Sequence, residues 1–541
     1  MAEQKIPYIG KNENGVPTLY VKGEPFLILG GELHNSASSS LDFMEKEVWP
    51  YLRPIAMNTV ILPIAWENIE AEEGRFDFSL LKGLIDQARR EGKHLVLLWF
   101  GLWKNGESFY VPSWVKENGK KYFRACYPGQ IPSNTVSVFC EEAVNRDRNA
   151  FCRLMEFIRE YDEEEQTILC IQVENEVGFL GAERDFSLAA EEKYREEVPM
   201  VVKNLMEQNK EKAEGKSAEK NSERRQGKVT LAGESGGNTS ALTWQEVFGE
   251  DAPETFMAYY YACALEKIAA AGKAIYPLPM YANAWLKQHP EIPGVFPSGG
   301  PVYDKIALWK RVAPSLDFLA PDIYVSYLRT VCEQYRVGGN PLMIPEARRD
   351  PGTAANVFYA LGGACALGFS PFAVEDFLRE EFAQPDQQLL DELNIDMSGF
   401  CCGGTGAYLQ RSYELLQGML PLILERRGTE RMTGFIRDNA NERGTILSMG
   451  EYDLELDYTK GKTGSAGLLL VEEEGFYIAG CNVRFRLLPK RGSGTLVTLV
   501  RMEEGKFLNG TWKGRILNGD EVHNTRLGDM AEIKYVRVCV Q

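Results

Sequence analysis

The sequence predicts a (β/α)8 barrel followed by a C-terminal all-β, sandwich-like domain. Over its first 400 residues, short apolar runs ending in polar or aromatic residues alternate with stretches of helical spacing, the signature of βα units. Eight such runs can be counted, the number that closes a barrel. After Leu422 the pattern changes to short β-rich pieces separated by Gly, Asn and Asp turns. A doubly wound sheet is the alternative topology for the first part.

The eight strands are read at Phe26–Leu29, Thr59–Ile64, Leu95–Phe100, Thr167–Val173, Leu278–Tyr281, Phe318–Ile323, Leu342–Ile344 and Phe369–Val374. The clearest helix follows the second strand, where Leu80, Leu81, Leu84, Ile85 and Ala88 share one face and Gly92 stops the run. Phe151, Leu154, Met155 and Ile158 mark another, which leads through a polar turn into the fourth strand. Residues 207–228 are rich in Lys, Glu, Asn and Ser and read as a solvated insertion. These features divide the chain into a barrel over 1–425 and a β-domain over 426–541, the latter with strands near Gly467–Val471, Gly475–Ile478, Thr495–Arg501 and Lys534–Val540. Trp512 and Tyr477 in that domain serve either core packing or sugar stacking.

Sixty basic and 77 acidic residues leave a net charge of −17, a field that repels phosphate backbones and anionic lipid, so neither nucleic acid nor membrane is an expected partner. The eleven cysteines have no zinc-site spacing, and neither a signal-peptide profile nor a long apolar run is present. A cytoplasmic protein with no metal and no cofactor is expected; a homo-oligomer is compatible with this composition. With only four histidines, carboxylates are the abundant acid and base groups.

Two carboxylates stand where barrel strands reach their mouths. The fourth strand ends Gln172-Val173-Glu174-Asn175-Glu176-Val177-Gly178, and the seventh runs into Pro345-Glu346-Ala347-Arg348-Arg349. Glycoside hydrolysis needs one carboxylic acid to protonate the leaving oxygen and one carboxylate to attack or to activate water. Glu176 and Glu346 form that pair, and Asn175 adds an amide for a sugar hydroxyl if a bulge lets both neighbours face the pocket. The competing reading of Asn175-Glu176 is a surface ion-pairing loop; that of Glu346 is a salt bridge to Arg348 or Arg349.

The string Gln172 to Glu176 with Gly178 resembles the acid/base signature of family 35 glycoside hydrolases, the β-galactosidases. Gly31-Glu32-Leu33-His34 is similar to that family's first-strand motif. Trp66-Glu67 through Glu73-Gly74-Arg75-Phe76-Asp77-Phe78-Ser79 is similar to its second-strand run. The resemblance implies a retaining β-galactosidase with Glu176 as acid/base and Glu346 as nucleophile, acting on a β-galactoside or related plant or host oligosaccharide. Val177 stands where the family has Tyr, and Trp99 to Gly106 departs from the family's third-strand loop. Both departures resemble a bacterial subgroup with family 42-like barrel features and a C-terminal β-domain. A β-glucosidase, β-mannosidase or α-arabinosidase is the alternative specificity.

Double displacement requires an ionised Glu346, a protonated Glu176 and about 5–5.5 Å between the two carboxyls. Trp103, Trp285 and Tyr324 follow strands three, five and six as candidate sugar-stacking walls, Tyr324 also being placed to donate to Glu346. Asn105, Asn283 and Glu375 are candidate hydroxyl-binding groups, with barrel core or loop capping as the alternative for each of these six. Two other classes compete. Gly233-Glu234-Ser235-Gly236-Gly237 matches the nucleophile elbow of a serine esterase acting through Ser235. A non-catalytic sugar-binding protein is the other.

Overall fold

The computed structural model describes residues 6–205, 242–380, 397–508 and 510–541. Residues 207–228 and the Ser235 segment lie outside them. Eight parallel strands close into a barrel in sequence order. They are β1 (Ile28–Glu32), β2 (Thr59–Ala65), β3 (His94–Lys104), β4 (Ile168–Asn175), β5 (Met280–Trp285), β6 (Phe318–Ile323), β7 (Ile344–Ala347) and β8 (Gly368–Pro371). Around them lie α1 (Ser79–Arg90), α2 (Glu141–Asp162), α3 (Ala252–Ile275), α4 (Ile306–Val312), α5 (Leu328–Tyr335), α6 (Thr353–Gly362) and α7 (Thr405–Arg426). In α1 the expected face is the buried one: Leu81, Leu84, Ile85 and Ala88 are fully covered, and Gly92 ends the turn at φ +64°.

Strand identity agrees with the sequence pattern; strand length does not. Apolar runs end before the ladder does, so β3 continues to Lys104, β4 to Asn175 and β5 to Trp285. Alternation along the extended β3 then decides where its last side chains point. Trp103 turns outward and Lys104 inward.

The barrel interior is a packed core of Ile28, Ile61, Val96, Leu98, Phe100, Leu169, Tyr281, Phe318 and Met343. Leu19 and Val21 join it from a three-stranded antiparallel sheet (Tyr8–Lys11, Pro17–Val21, Glu24–Phe26) that plugs the amino-terminal mouth and that the apolar pattern did not foretell. With that end filled, an open site is left for the carboxyl ends of the strands. Strand walls and helices share a second, larger core.

Beyond α7 come a six-stranded and a four-stranded antiparallel sheet. Leu454, Leu456, Leu469, Phe476, Ile478, Val483, Phe485, Met502 and Val536 form the core between them. Tyr477 and Trp512 pack with Phe507 in the core shared with α7, at 5.1 Å between the Tyr477 and Trp512 rings. This region holds the barrel at a defined point. The Asp438 carboxylate accepts from the Arg329 and Thr330 amides at 2.7 and 3.1 Å, capping the start of α5 a few residues beyond Tyr324. No described helix is long and apolar enough to cross a membrane.

Candidate active site

The site is built where β4 loses its regularity. Glu174 and Glu176 adopt φ of +63° and +45°, conformations that cost a non-glycine residue about 1–3 kcal/mol each. Opposite them the β3–β4 register shifts between Trp99 and Lys104, so that Lys104 faces Asn175. Glu174 fills the space created: it accepts from the Leu102 and Trp103 amides at 3.2 and 2.7 Å. Gly101 is required there, because a β-carbon would come within 2.4 Å of the Glu174 carboxyl. Gly178 ends the turn at φ +142° with the Pro297 carbonyl 2.5 Å from where a β-carbon would sit.

These distortions turn Glu176 into a cavity of about 230 Å³ at the carboxyl end of the barrel. Its floor holds Glu176, Asp322 and Glu346; its sides include Lys104, Asn105, Asn35, Gln288, Trp285, Tyr324, Phe372 and Phe400. The three carboxyl groups are each at most 7% exposed, with oxygens within 4.8 Å of one another. Two unit charges at that separation repel by about 3.5 kcal/mol at an effective dielectric constant of ~20. Full ionisation of all three is therefore strongly disfavoured. Burial first, then the Glu346 charge, pushes Glu176 up to about 7, with Lys104 pulling the other way. Burial and the Glu346 and Glu176 charges hold Asp322 well above the usual carboxylate range. Glu32, at the end of β1, is raised by burial and the same neighbours.

Hydrogen bonds aim these groups. The Tyr324 hydroxyl donates to Glu346 Oε1, and its ring stacks on Phe400 at 4.4 Å. Asn283 Oδ1 accepts from the Glu176 amide at 2.9 Å while its Nδ2 donates to Asp322 Oδ2 at 2.7 Å. Lys104 Nζ donates to Asn105 and Asn175 Oδ1 at 2.6 and 3.0 Å. Neither arginine of the seventh-strand segment locks Glu346. Arg348 pairs with Asp350, and Arg349 with Asp376 at 2.6 Å. Six buried polar atoms in and around the cavity have no protein partner among the described residues: Glu32 Oε1, Asn35 Oδ1, Asn175 Nδ2, Gln288 Nε2, Asp322 Oδ1 and Glu346 Oε2. Such groups are held for a ligand's hydroxyls or for water.

Of the residues proposed from sequence, Glu176, Glu346, Asn105, Trp285 and Tyr324 line this cavity. Trp103 does not, which corrects its reading as a sugar-stacking wall. It is fully buried between barrel and helices, its Nε1 donating to the Val136 carbonyl at 2.9 Å and its ring packing on Tyr261 of α3. Glu375 also lies off the cavity, accepting from the His34 amide at 2.9 Å beside a separate surface depression. Asn283 and Asn175 stand behind the lining, holding Glu176 and Lys104. Sequence reasoning missed Asp322, Lys104, Asn35, Phe372 and Phe400. For Asp322 and Lys104 a signal exists: each is a charged residue at or next to the end of a mostly apolar strand.

Among families, the one that matches is described as a domain of unknown function (DUF5597), over residues 409–527, from within α7 through most of the β-sheets. No curated protein matches the chain. Among solved structures, it is similar to the β-galactosidase of Rahnella sp. R3 at 13% identity and TM-score 0.46, covering 73% of this chain and 57% of that one. This chain thus spans little more than half of that enzyme's length. It is also similar to the Bacillus circulans sp. alkalophilus β-galactosidase at 10% identity and TM-score 0.49, covering 94% and 99%. Gan42B, a GH42 β-galactosidase from G. stearothermophilus, gives 9% identity and TM-score 0.47 over 99% and 100%.

Proposed function

We propose that this chain is a retaining glycoside hydrolase of the β-galactosidase type, with Glu346 as nucleophile and Glu176 as acid/base. The observation that carries the reading is the approach of their carboxyl oxygens to within 4.8 Å on the floor of one cavity. That closeness is nearer the ~5–5.5 Å of retaining enzymes than the ~6.5–9.5 Å of inverting ones, and supports the retaining reading. Glu346 Oε2, without a protein partner among the described residues, attacks the anomeric carbon while Tyr324 holds Oε1. Glu176, protonated below about 7, delivers its proton to the leaving oxygen. It then takes a proton from the water that releases the sugar. Trp285, Tyr324, Phe372 and Phe400 supply flat apolar surface for a pyranose face.

The galactoside preference rests on the motif resemblance, and the barrel through 425 is the catalytic unit in this reading. Eleven unbridged cysteines support a reducing, cytoplasmic setting. The test is a screen of aryl β-galactoside, β-glucoside, β-mannoside and α-arabinoside substrates, repeated on Glu346→Gly with added azide. Azide is expected to restore turnover and to yield a glycosyl azide of inverted configuration. Wild-type cleavage of none of the four, or full activity in the glycine variant without azide, overturns the proposal.

A further inference from the structure

The cavity floor holds one carboxyl more than the proposed reaction uses. Asp322, one residue before the end of β6, is in register with Glu346 on β7 and is 2% exposed. The titratable groups facing it are Glu32 on β1, Glu176 beyond β4, Tyr281 on β5, Glu346 on β7 and Tyr335 on α5. Four of these six groups, Asp322 included, are carboxyls, and Lys104 is the ammonium set against Glu32 and Glu176. So many like charges cannot be held together away from water, and at least one carboxyl must carry a proton.

In the proposed reaction Glu346 must be ionised to attack and Glu176 must give its proton away, which leaves Asp322 as the floor carboxyl able to keep one. Asn283 Nδ2 donates to Asp322 Oδ2, leaving Oδ1 buried and without a protein donor among the described residues, a seat for a proton. The Tyr324 hydroxyl donates to Glu346 Oε1. The Asp322 and Glu176 carboxyls lie within 4.8 Å of one another on the cavity floor and interact through a shared hydrogen bond, which needs a proton on one of the two.

We infer that Asp322 keeps its proton through the reaction and donates it as a hydrogen bond to the Glu176 carboxylate, making it a positioning residue for the acid/base group. The proton never leaves Asp322. Glu176 loses its own proton to the leaving oxygen and regains one from water, while the Asp322 hydroxyl steadies the carboxylate in between. Asn283 completes the arrangement by gripping Asp322 and the Glu176 backbone together.

This inference rests on the glycosidase reading for its kinetics, so the test has an arm independent of activity. Asp322→Asn retains an N–H donor and a carbonyl for Asn283. It is expected to keep the basic limb of the kcat/KM profile at its wild-type pH while kcat/KM falls by about tenfold or less. Asp322→Leu lacks the donor. Its basic limb is expected to move alkaline by about one to two pH units, the worth of a hydrogen bond to a charged group. An acid-ward move in the Asn variant overturns the inference, because it reports removal of a negative charge. The second arm is the infrared difference between wild type and Asp322→Asn at neutral pH. It should show the carbonyl stretch of a protonated carboxyl in wild type, and its absence overturns the inference even if Asp322→Leu fails to fold. A wild type that cleaves no glycoside defeats the glycosidase reading, while the infrared band still decides where the proton sits.

Discussion

Replacing Glu346 by Gln removes a negative charge while keeping the shape of the cavity floor and an oxygen for Tyr324. Burial and then the Glu346 charge hold Glu176 at about 7. Across 4.8 Å that charge is worth about 3.5 kcal/mol at an effective dielectric constant of ~20, or about 2.5 pH units. Lys104 stays in place in the variant, so Glu176 is expected to titrate about two units lower than in wild type. Because the same substitution is expected to abolish turnover, the readout is direct. Carboxyl-labelled glutamate is followed by carbon NMR against pH in wild type and Glu346→Gln, with Glu176→Gln identifying the signal. A Glu176 midpoint that stays in place or rises would mean that the two carboxyls do not share one cavity, and the mechanism would fall with it.

Three further outcomes are expected. Glu176 is raised from 4.5 to about 7 in the folded chain, so the native state binds its proton more tightly than the unfolded state does. The stability this confers is complete below pH 4.5 and is lost as pH rises through 7; urea unfolding of Glu176→Gln should lack about 3 kcal/mol of that decline, and identical slopes in both proteins would refute it. Lys104→Met removes the cation that favours ionised Glu176, so the basic limb of the pH–activity profile should move to higher pH by about one unit; a move to lower pH contradicts the geometry. Trp103→Ala should cost about 3–5 kcal/mol in urea unfolding as a core truncation, and a loss under 1 kcal/mol would return Trp103 to the cavity wall.

Local chemistry made much of this protein legible in one dimension. Period-two and period-3.6 patterns are set by which faces must leave water, so the eight barrel strands, the α1 face and the switch to β-sheet after Leu422 follow from residue order. Carboxylates at strand mouths were visible for the same reason: Glu176 and Glu346 interrupt apolar runs that have no need of charge. What residue order did not carry is where those runs stop in space. The β3 ladder continues through polar positions, so Trp103 and Lys104 exchange the roles that a loop would have given them.

The amino-acid sequence alone determined the architecture and supplied the pair of carboxylates, because burial of alternating faces depends on near neighbours. Only the tertiary structure decided which charges meet. Asp322 reads only as a charge near the end of an apolar strand until β6 is laid beside β7 and opposite the distorted end of β4, which brings three carboxyls within 4.8 Å. Proton affinity in such a cluster depends on distances between residues far apart in the chain, and pattern along the chain does not encode them.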